Sequence, residues 1–272
     1  MYKRQVEVSF GEQFIDNIRA ILKDRPIDYL VVDHMEPDHS SSIKTLRLLY
    51  PEMQIVGNAK TLQMLDGYYG IHTLTREVKE GESISLGKKN LSFYMAPMVH
   101  WPEVMVTYCP EHKVLFSADA FGTFGALNGG ILDSQLSLDH FWDEMRRYYA
   151  CIVGKYGAPV QKALQKLSGL PIETLCSTHG PVWQQEIGRV IGIYDQLSRY
   201  EGEPGVVIAY GSMYGNTAQM AEKIARELAV QGVKNIIVYN LSYADISNVI
   251  RDIFKYDTLI VGSPTYNGEL FP

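Results

Sequence analysis

Six consecutive residues, His34-Met35-Glu36-Pro37-Asp38-His39, carry four side chains able to bind a metal, two imidazoles and two carboxylates. They follow directly on an apolar run, Tyr29-Leu30-Val31-Val32. A strand that delivers nitrogen and oxygen donors to its C-terminal end is a common way to begin a metal site. Glu36 stands where a nitrogen-rich zinc site would more naturally place a second His. Three later residues share this context. His100 follows the apolar segment 91–95 and a proline, Asp119 ends Val114-Leu115-Phe116-Ser117-Ala118, and His179 follows the segment 173–176. A lone His past a strand is ordinarily a hydrogen-bonded structural residue. Repeated four times, the strand-then-donor pattern points to loops converging at one sheet edge.

A second stretch has the chemistry of an anion site. Tyr210-Gly211-Ser212-Met213-Tyr214-Gly215-Asn216-Thr217 lies between an apolar segment, 206–210, and a helical pattern over 217–231. It is neither a GxGxxG fingerprint nor a GxxxxGK[ST] loop. Hydroxyls and a glycine at a helix N-terminus suit a phosphate monoester. The backbone N–H groups and helix dipole receive the charge, and Ser212 and Thr217 add donors. Gly262-Ser263-Pro264-Thr265-Tyr266-Asn267-Gly268 follows another strand of the same unit, at the carboxyl edge where doubly wound sheets bind ligands. Its alternative reading is a plain Pro/Gly turn.

The elements that must position these residues follow from periodicity and turn signals. Residues 12–23 read as an amphipathic helix ended by Pro26, 28–33 as a strand, 42–50 as a helix with Ser40 and Ser41 as N-caps, 53–57 as a strand and 59–68 as a helix. Pro37 reads as stiffening the ligand loop. From 71 to 118 short strands dominate, notably 91–95, 104–108 and 113–118. Helices over 137–151 and 157–168, a strand at 173–176 and a helix from Trp183 to Tyr200 complete the first part. Glu201-Gly202-Glu203-Pro204-Gly205 reads as a linker. Beyond it, strands 206–210, 235–240 and 257–262 alternate with helices 217–231 and 245–253, which predicts a parallel sheet. The expected domains are therefore 1–202 and 203–272.

Composition bounds the reading. The 272 residues, 46% hydrophobic and 21% charged, describe a globular chain with room for two domains. A net charge of −6 argues against nucleic acid as partner. No apolar run reaches the roughly 18 residues of a membrane span. The start, Met1 to Gln5, is basic without an apolar stretch behind it, so no secretory signal is expected. Cys109, Cys151 and Cys176 are widely spaced, read as free thiols, and fit a cytoplasmic location.

His34-x-Glu36-x-Asp38-His39, His100, Asp119 and His179 together resemble the metallo-β-lactamase fold, and within it the flavodiiron proteins. Val99-His100-Trp101-Pro102-Glu103, Phe116 to Gly122, and Ser177-Thr178-His179-Gly180-Pro181 match as well. The stretch 210–217 resembles the flavodoxin phosphate loop, S/T-x-T/S-x-x-G-x-T. The implied fold is α/β: a metallo-β-lactamase-like αββα sandwich followed by a partial flavodoxin-like doubly wound parallel sheet. The resemblance implies two irons, one held by His34, Glu36 and His100, the other by Asp38, His39 and His179, with Asp119 bridging. It implies FMN on Ser212, Met213, Tyr214, Gly215, Asn216 and Thr217, with the ring against Pro264, Thr265, Tyr266, Asn267 and Gly268 and Tyr266 as stacking candidate. Three carboxylates and four imidazoles suit iron cycling between +2 and +3, because carboxylates stabilise the higher charge. Trp101, Phe121 and Phe124 could line an apolar gas pocket or simply pack in the core.

The implied activity is reduction of O2 to water or NO to N2O, with electrons from a donor such as rubredoxin. No rubredoxin-type CxxC pair occurs among the three cysteines, so the donor is expected to be separate or outside this sequence. A head-to-tail homodimer or a dimer of such dimers is implied, without membrane or nucleic-acid partners. Two other readings compete: a dizinc hydrolase fused to a flavodoxin-like module, which Glu36 disfavours, and a non-catalytic flavin electron carrier, which the full donor set disfavours. The second domain holds three of the five strands of a flavodoxin-like sheet, and relatives begin with several strands before the segment matching 6–33. The resemblance therefore implies a sequence truncated at both ends.

Overall fold

The computed structural model describes residues 10–270, so the reading at Met1–Gln5 and the outer ends of the expected domains 1–202 and 203–272 lie outside the described residues. Helix α1 (Gly11–Leu22) buries Ile15 and ends at Lys23, ahead of Pro26. Strand β1 (Tyr29–Val31) delivers the first donor cluster. The helix expected over 42–50 is α3 (Ile43–Leu49), and a further short one, α2 (Pro37–Ser40), precedes it. Pro37 opens α2, where a missing N–H costs nothing, so the helical turn begins inside the cluster itself. Ser40 and Ser41 do not cap α3, whose N-cap is Ser42. The Ser40 hydroxyl instead donates to the Met35 carbonyl at 2.8 Å and ties the ligand loop back on itself.

Strand β2 (Gln54–Gly57) pairs in parallel with β1 and, after α4 (Ala59–Tyr69), with β3 (Thr75–Glu77). Asn58 caps α4 by accepting from the Lys60 and Thr61 N–H groups, both at 3.1 Å. A second sheet then runs β4 (Ser83–Ser85), β5 (Asn90–Met95), β6 (Met105–Cys109) and β7 (Val114–Phe116). Helices α5 (Asp139–Tyr148) and α6 (Gly157–Leu167) follow, then β8 (Thr174–Cys176), β9 (Val182–Trp183) and α7 (Ile187–Ser198). Its six strands lie in chain order and are antiparallel except for β7–β8. A parallel pair needs a long crossover, and α5 and α6 provide it.

Alternation along the strands separates the layers. Val56, Val78, Ile84, Phe93 and Met105 form the core between the sheets. Ile55, one residue from Val56, packs instead with Ile15, Ile43, Leu46 and Leu65 of the helices on the outer face. Trp142, Met145, Val160 and Val190 cover the second sheet. The result is an αββα sandwich. The helix expected from Trp183 starts at Ile187. Val182 and Trp183 pair with β8, and the Asp133 carboxylate accepts the N–H groups of Gln184, Gln185 and Glu186 at 2.8, 2.8 and 3.0 Å. Helix α5 runs on into a π-helical turn, Tyr149–Val153.

The last part is a parallel sheet centred on β10 (Glu203–Tyr210). Helix α8 (Asn216–Val230), β11 (Ile236–Asn240), α9 (Ile246–Lys255) and β12 (Tyr256–Gly262) follow, and the strand order is β11-β10-β12. The stretch after β12 is a hairpin rather than a plain loop: β13 (Thr265–Tyr266) pairs with β14 (Glu269–Leu270). Asn267 and Gly268 at its tip have φ of 52° and 81°, the left-handed values a two-residue turn demands. Helix α9 docks on α5. Lys255 Nζ lies 3.0 Å from Asp143, Arg147 donates to the Ser247 hydroxyl at 3.1 Å, and Arg146 reaches Glu203 at 2.9 Å. At Gly154 a Cβ would sit 2.8 Å from the Phe254 ring. No helix among the described residues is long and apolar enough to cross a membrane.

Candidate metal centre and phosphate loop

All seven expected donors converge. His34, Glu36, Asp38 and His39 come from β1 and α2, His100 from the loop between β5 and β6, Asp119 from the turn after β7, and His179 from the loop after β8. Asp119 is the centre. Its side chain is 1% exposed, and its two oxygens face different partners. Oδ2 lies 2.9 Å from His100 Nε2 and 3.6 Å from His34 Nε2. Oδ1 lies 2.9 Å from His39 Nε2, 3.5 Å from His179 Nε2 and 2.6 Å from the Thr178 hydroxyl.

The outer carboxylates follow the same division. Glu36 Oε2 approaches His100 Nε2 at 3.0 Å and His34 Nε2 at 3.3 Å. Asp38 approaches His39 Nε2 at 3.5 Å and His179 Nε2 at 3.7 Å. Donor atoms of His34, Glu36, His39 and Asp119 lie within 4.8 Å of one another, as do those of Asp38, His39 and His179. His39 thus stands between the two groups. All four histidines turn Nε2 inward toward carboxylate oxygens, which suits cations held by mixed nitrogen and oxygen donors.

The electrostatics match. Burial pushes the Asp119 carboxyl up, but His100, His39 and His34 outweigh it and hold the group well below the usual carboxylate range. Burial works against charge on His34, yet Glu103, Glu36 and Asp119 raise it to about 9. Burial, with His39 beside it, lowers His179.

Three neighbours escaped the sequence reading as site residues. Glu103 and Thr178 stand inside quoted motif words, but only distances reveal their contacts to His34 and Asp119. Tyr148, on α5, packs its ring 5.2 Å from His179, and its buried hydroxyl has no hydrogen-bond partner among the described residues. Of the three aromatics considered for a gas pocket, Trp101 lies edge-on to His34 at 5.2 Å. Phe124 packs edge-on to Tyr148 at 5.1 Å, and Phe121 packs into the core against Tyr194 at 4.9 Å.

The phosphate-type loop sits at the other end of the chain, at the C-terminal edge of β10. Gly215, at φ 85°, is the N-cap of the 15-residue α8 and offers no side chain to its first N–H groups. The Ser212 hydroxyl oxygen is buried, again without a hydrogen-bond partner among the described residues. An unfilled hydroxyl beside a helix start is what a phosphate would complete. The 262–268 stretch is alongside: Gly211 N–H donates to the Gly262 carbonyl at 2.9 Å, and a Cβ on Gly262 would meet Thr217 at 3.2 Å. Met213, Tyr214, Asn216, Thr265, Tyr266, Asn267 and Gly268 are exposed around this edge, with Pro264 half-buried, and Tyr266 is 55% exposed.

An αββα sandwich with four imidazoles and three carboxylates at its edge, joined to a flavodoxin-like sheet, defines a flavodiiron-type architecture. Residues 7–180 match the ODP family beta lactamase, and residues 208–272 match flavodoxin. The chain belongs to the ODP beta-lactamase family. It is 34% identical over 266 residues to a nitric oxide reductase of Moorella thermoacetica, covering 97% of this chain and 66% of the relative. To an anaerobic nitric oxide reductase flavorubredoxin of Escherichia coli it is 27% identical, covering 98% of this chain and 57% of the relative. Among solved structures, rubredoxin oxygen:oxidoreductase of Desulfovibrio gigas superposes with a TM-score of 0.93 at 28% identity, over 98% of this chain and 67% of that one. The flavodiiron protein of Giardia intestinalis gives 0.92 at 29%, over 99% and 66%. The chain spans just under two thirds or less of the length of these curated relatives.

Proposed function

We propose that this chain carries a non-haem diiron centre and an FMN site, and is part of an oxidoreductase that reduces O2 to water, NO to N2O, or both. His34, Glu36 and His100 would hold one iron, Asp38, His39 and His179 the other, and Asp119 would be shared. The observation that carries this reading is the division of Asp119, one oxygen toward His100 and His34 and the other toward His39 and His179. A zinc hydrolase would not call for Glu36 in this set. When bound, the two irons would each supply one electron at the gas site and FMN would relay the others from a donor protein. Each O2 reduced to two waters takes four electrons and four protons, and each pair of NO joined as N2O with loss of water takes two of each. The names of the relatives, nitric oxide reductases and a rubredoxin oxygen:oxidoreductase, support both gases and a rubredoxin-like donor.

The chain's own residues have separable tasks. Asp119 would neutralise the cations from a buried position, Thr178 orients its carboxylate through a hydrogen bond, and Trp101 packs edge-on to His34. Ser212, Gly215, Asn216 and Thr217 would receive the FMN phosphate, and Tyr266 would stack on the ring. We place the boundary between the two functional units at 202/203, and the same reading has the protein cytoplasmic and a head-to-tail homodimer or a dimer of such dimers. The test is metal analysis of the chain as purified, followed by anaerobic reduction and separate measurement of O2 and NO consumption by the full-length protein. Two irons per chain with consumption of either gas is expected. Two zincs with ester hydrolysis would overturn the reading.

A further inference from the structure

Glu103 is fully buried, with no exposed surface. It lies 69 residues from His34 in the chain, yet its Oε1 is 2.6 Å from His34 Nδ1. The same oxygen accepts the Met35 N–H at 3.0 Å. Its backbone carbonyl accepts from Asn58 Nδ2 at 2.6 Å, which pins the Glu103 backbone to the start of α4. Its other oxygen, Oε2, is buried without a hydrogen-bond partner among the described residues. A carboxylate removed from water is costly unless its charge is answered. Its charge is answered by one imidazole, His34, and by the Met35 backbone N–H.

That imidazole faces two ways. Nδ1 meets Glu103, while Nε2 looks toward Glu36 at 3.3 Å and Asp119 at 3.6 Å. A ring that donates Nδ1–H to a carboxylate keeps its lone pair on Nε2, the nitrogen aimed at the other donors. The Met35 contact acts on the same loop, because Met35 is the residue between His34 and Glu36. One buried carboxylate therefore sets the tautomer and orientation of one donor and the backbone that leads to the next. We infer that Glu103 is the positioning residue of the metal centre, holding His34 as an Nε2 ligand and making its ring a stronger base. This inference rests on the diiron reading given above.

Glu103→Gln tests it, because the amide keeps the shape and an acceptor oxygen and removes the charge. Iron binding is measured by competition with a chelator of known affinity, and Mössbauer spectra are recorded for the 57Fe-loaded native chain and variant. Outer partners of this kind typically change metal affinity about 10–100-fold. One of the two irons is expected to bind that much more weakly in Glu103→Gln, with its Mössbauer doublet changed and the other doublet kept. Glu103→Asp, which retains the charge, is expected to recover part of the affinity. A role confined to packing would leave both doublets unchanged in the loaded, folded protein. Native-like affinity and doublets in Glu103→Gln overturn the inference alone, as does an aspartate variant no better than the glutamine one. A native chain that binds no iron overturns the diiron reading and this inference with it.

Discussion

The Thr178 hydroxyl donates to Asp119 Oδ1 at 2.6 Å, and the next residue, His179, brings Nε2 to 3.5 Å from that same oxygen. One loop thus supplies both a donor imidazole and the hydrogen bond that orients the carboxylate between the histidine pairs. Thr178→Val keeps the volume and removes the O–H, leaving a buried carboxylate short of one donor. Hydrogen bonds to charged groups contribute about 1.5–3 kcal/mol. A loss of that size is expected in urea denaturation of the metal-free chain, together with weaker iron binding. An unchanged denaturation midpoint would show that the hydroxyl is dispensable.

Glu36 is the donor that separates this set from a nitrogen-rich zinc site. Its Oε2 stands 3.0 Å from His100 Nε2, so a ring at position 36 can reach the same region. Glu36→His is expected to lower iron content, raise zinc content and abolish gas reduction. Elemental analysis after growth with both metals measures the exchange. Native iron content with full activity refutes the assignment of Glu36.

The contact between the two units depends on a missing side chain. At Gly154 a Cβ would lie 2.8 Å from the Phe254 ring, and that ring also packs near Tyr149 and Tyr200 at 6.3 and 6.2 Å between centroids. Overpacking of such a contact costs about 1–3 kcal/mol. Gly154→Val is expected to lose that much stability and to make the 203–270 part more open to proteolysis. Adding Phe254→Leu, which makes room, is expected to restore part of it. Purely additive losses in the double variant would show that the two positions do not meet.

Acid should loosen the same interface. Burial pushes the Asp143 carboxyl up, but Lys255, with Arg251 on α9 and Arg146 on α5, outweighs it and holds the group below its ordinary value. A carboxyl with a lowered folded value stabilises fully above its unfolded value of about 4. That stability is lost as pH falls through the folded value. The Asp143 side chain is 47% exposed, so solvent screening limits the effect to at most about 1 kcal/mol. The native chain is expected to lose stability more steeply than Asp143→Asn from about pH 5 downward. Parallel curves from denaturation at stepped pH would exclude a role for this carboxyl.

The donors were readable in the sequence because each follows an apolar strand segment, and strand ends at one sheet edge share a neighbourhood by geometry alone. The alternating β and α segments after Gly205 were readable for the same reason, since a parallel sheet imposes its grammar on the chain. What escaped was set by contacts distant in sequence. Trp183 looked like the start of a helix until β8 claimed it as a strand and Asp133, 51 residues from Gln184, took the next N–H groups. Glu103 stands within the matching stretch 99–103, but nothing local shows that its carboxylate closes on an imidazole 69 positions earlier. Pro37 was read as a stiffener, and in the structure it opens a short helix that carries Asp38 and His39 inward.

The buried Ser212 hydroxyl gives the flavin reading a test independent of iron. It has no hydrogen-bond partner among the described residues, and it sits beside the start of α8, where Gly215 leaves the first N–H groups uncapped by a side chain. If a phosphate is its partner, Ser212→Ala removes one hydrogen bond to a dianion. At about 1.5–3 kcal/mol, that weakens FMN binding roughly 10–100-fold. Riboflavin carries the same ring without the phosphate, so its affinity is expected to stay within twofold of native. Fluorescence titration of both flavins separates the two contributions. An equal loss for FMN and riboflavin would mean that Ser212 shapes the loop for the ring, and an unchanged FMN affinity would place the phosphate elsewhere. Tyr266→Ala should behave in the opposite way, weakening both flavins alike, because a side chain proposed to stack on the ring would touch the part they share.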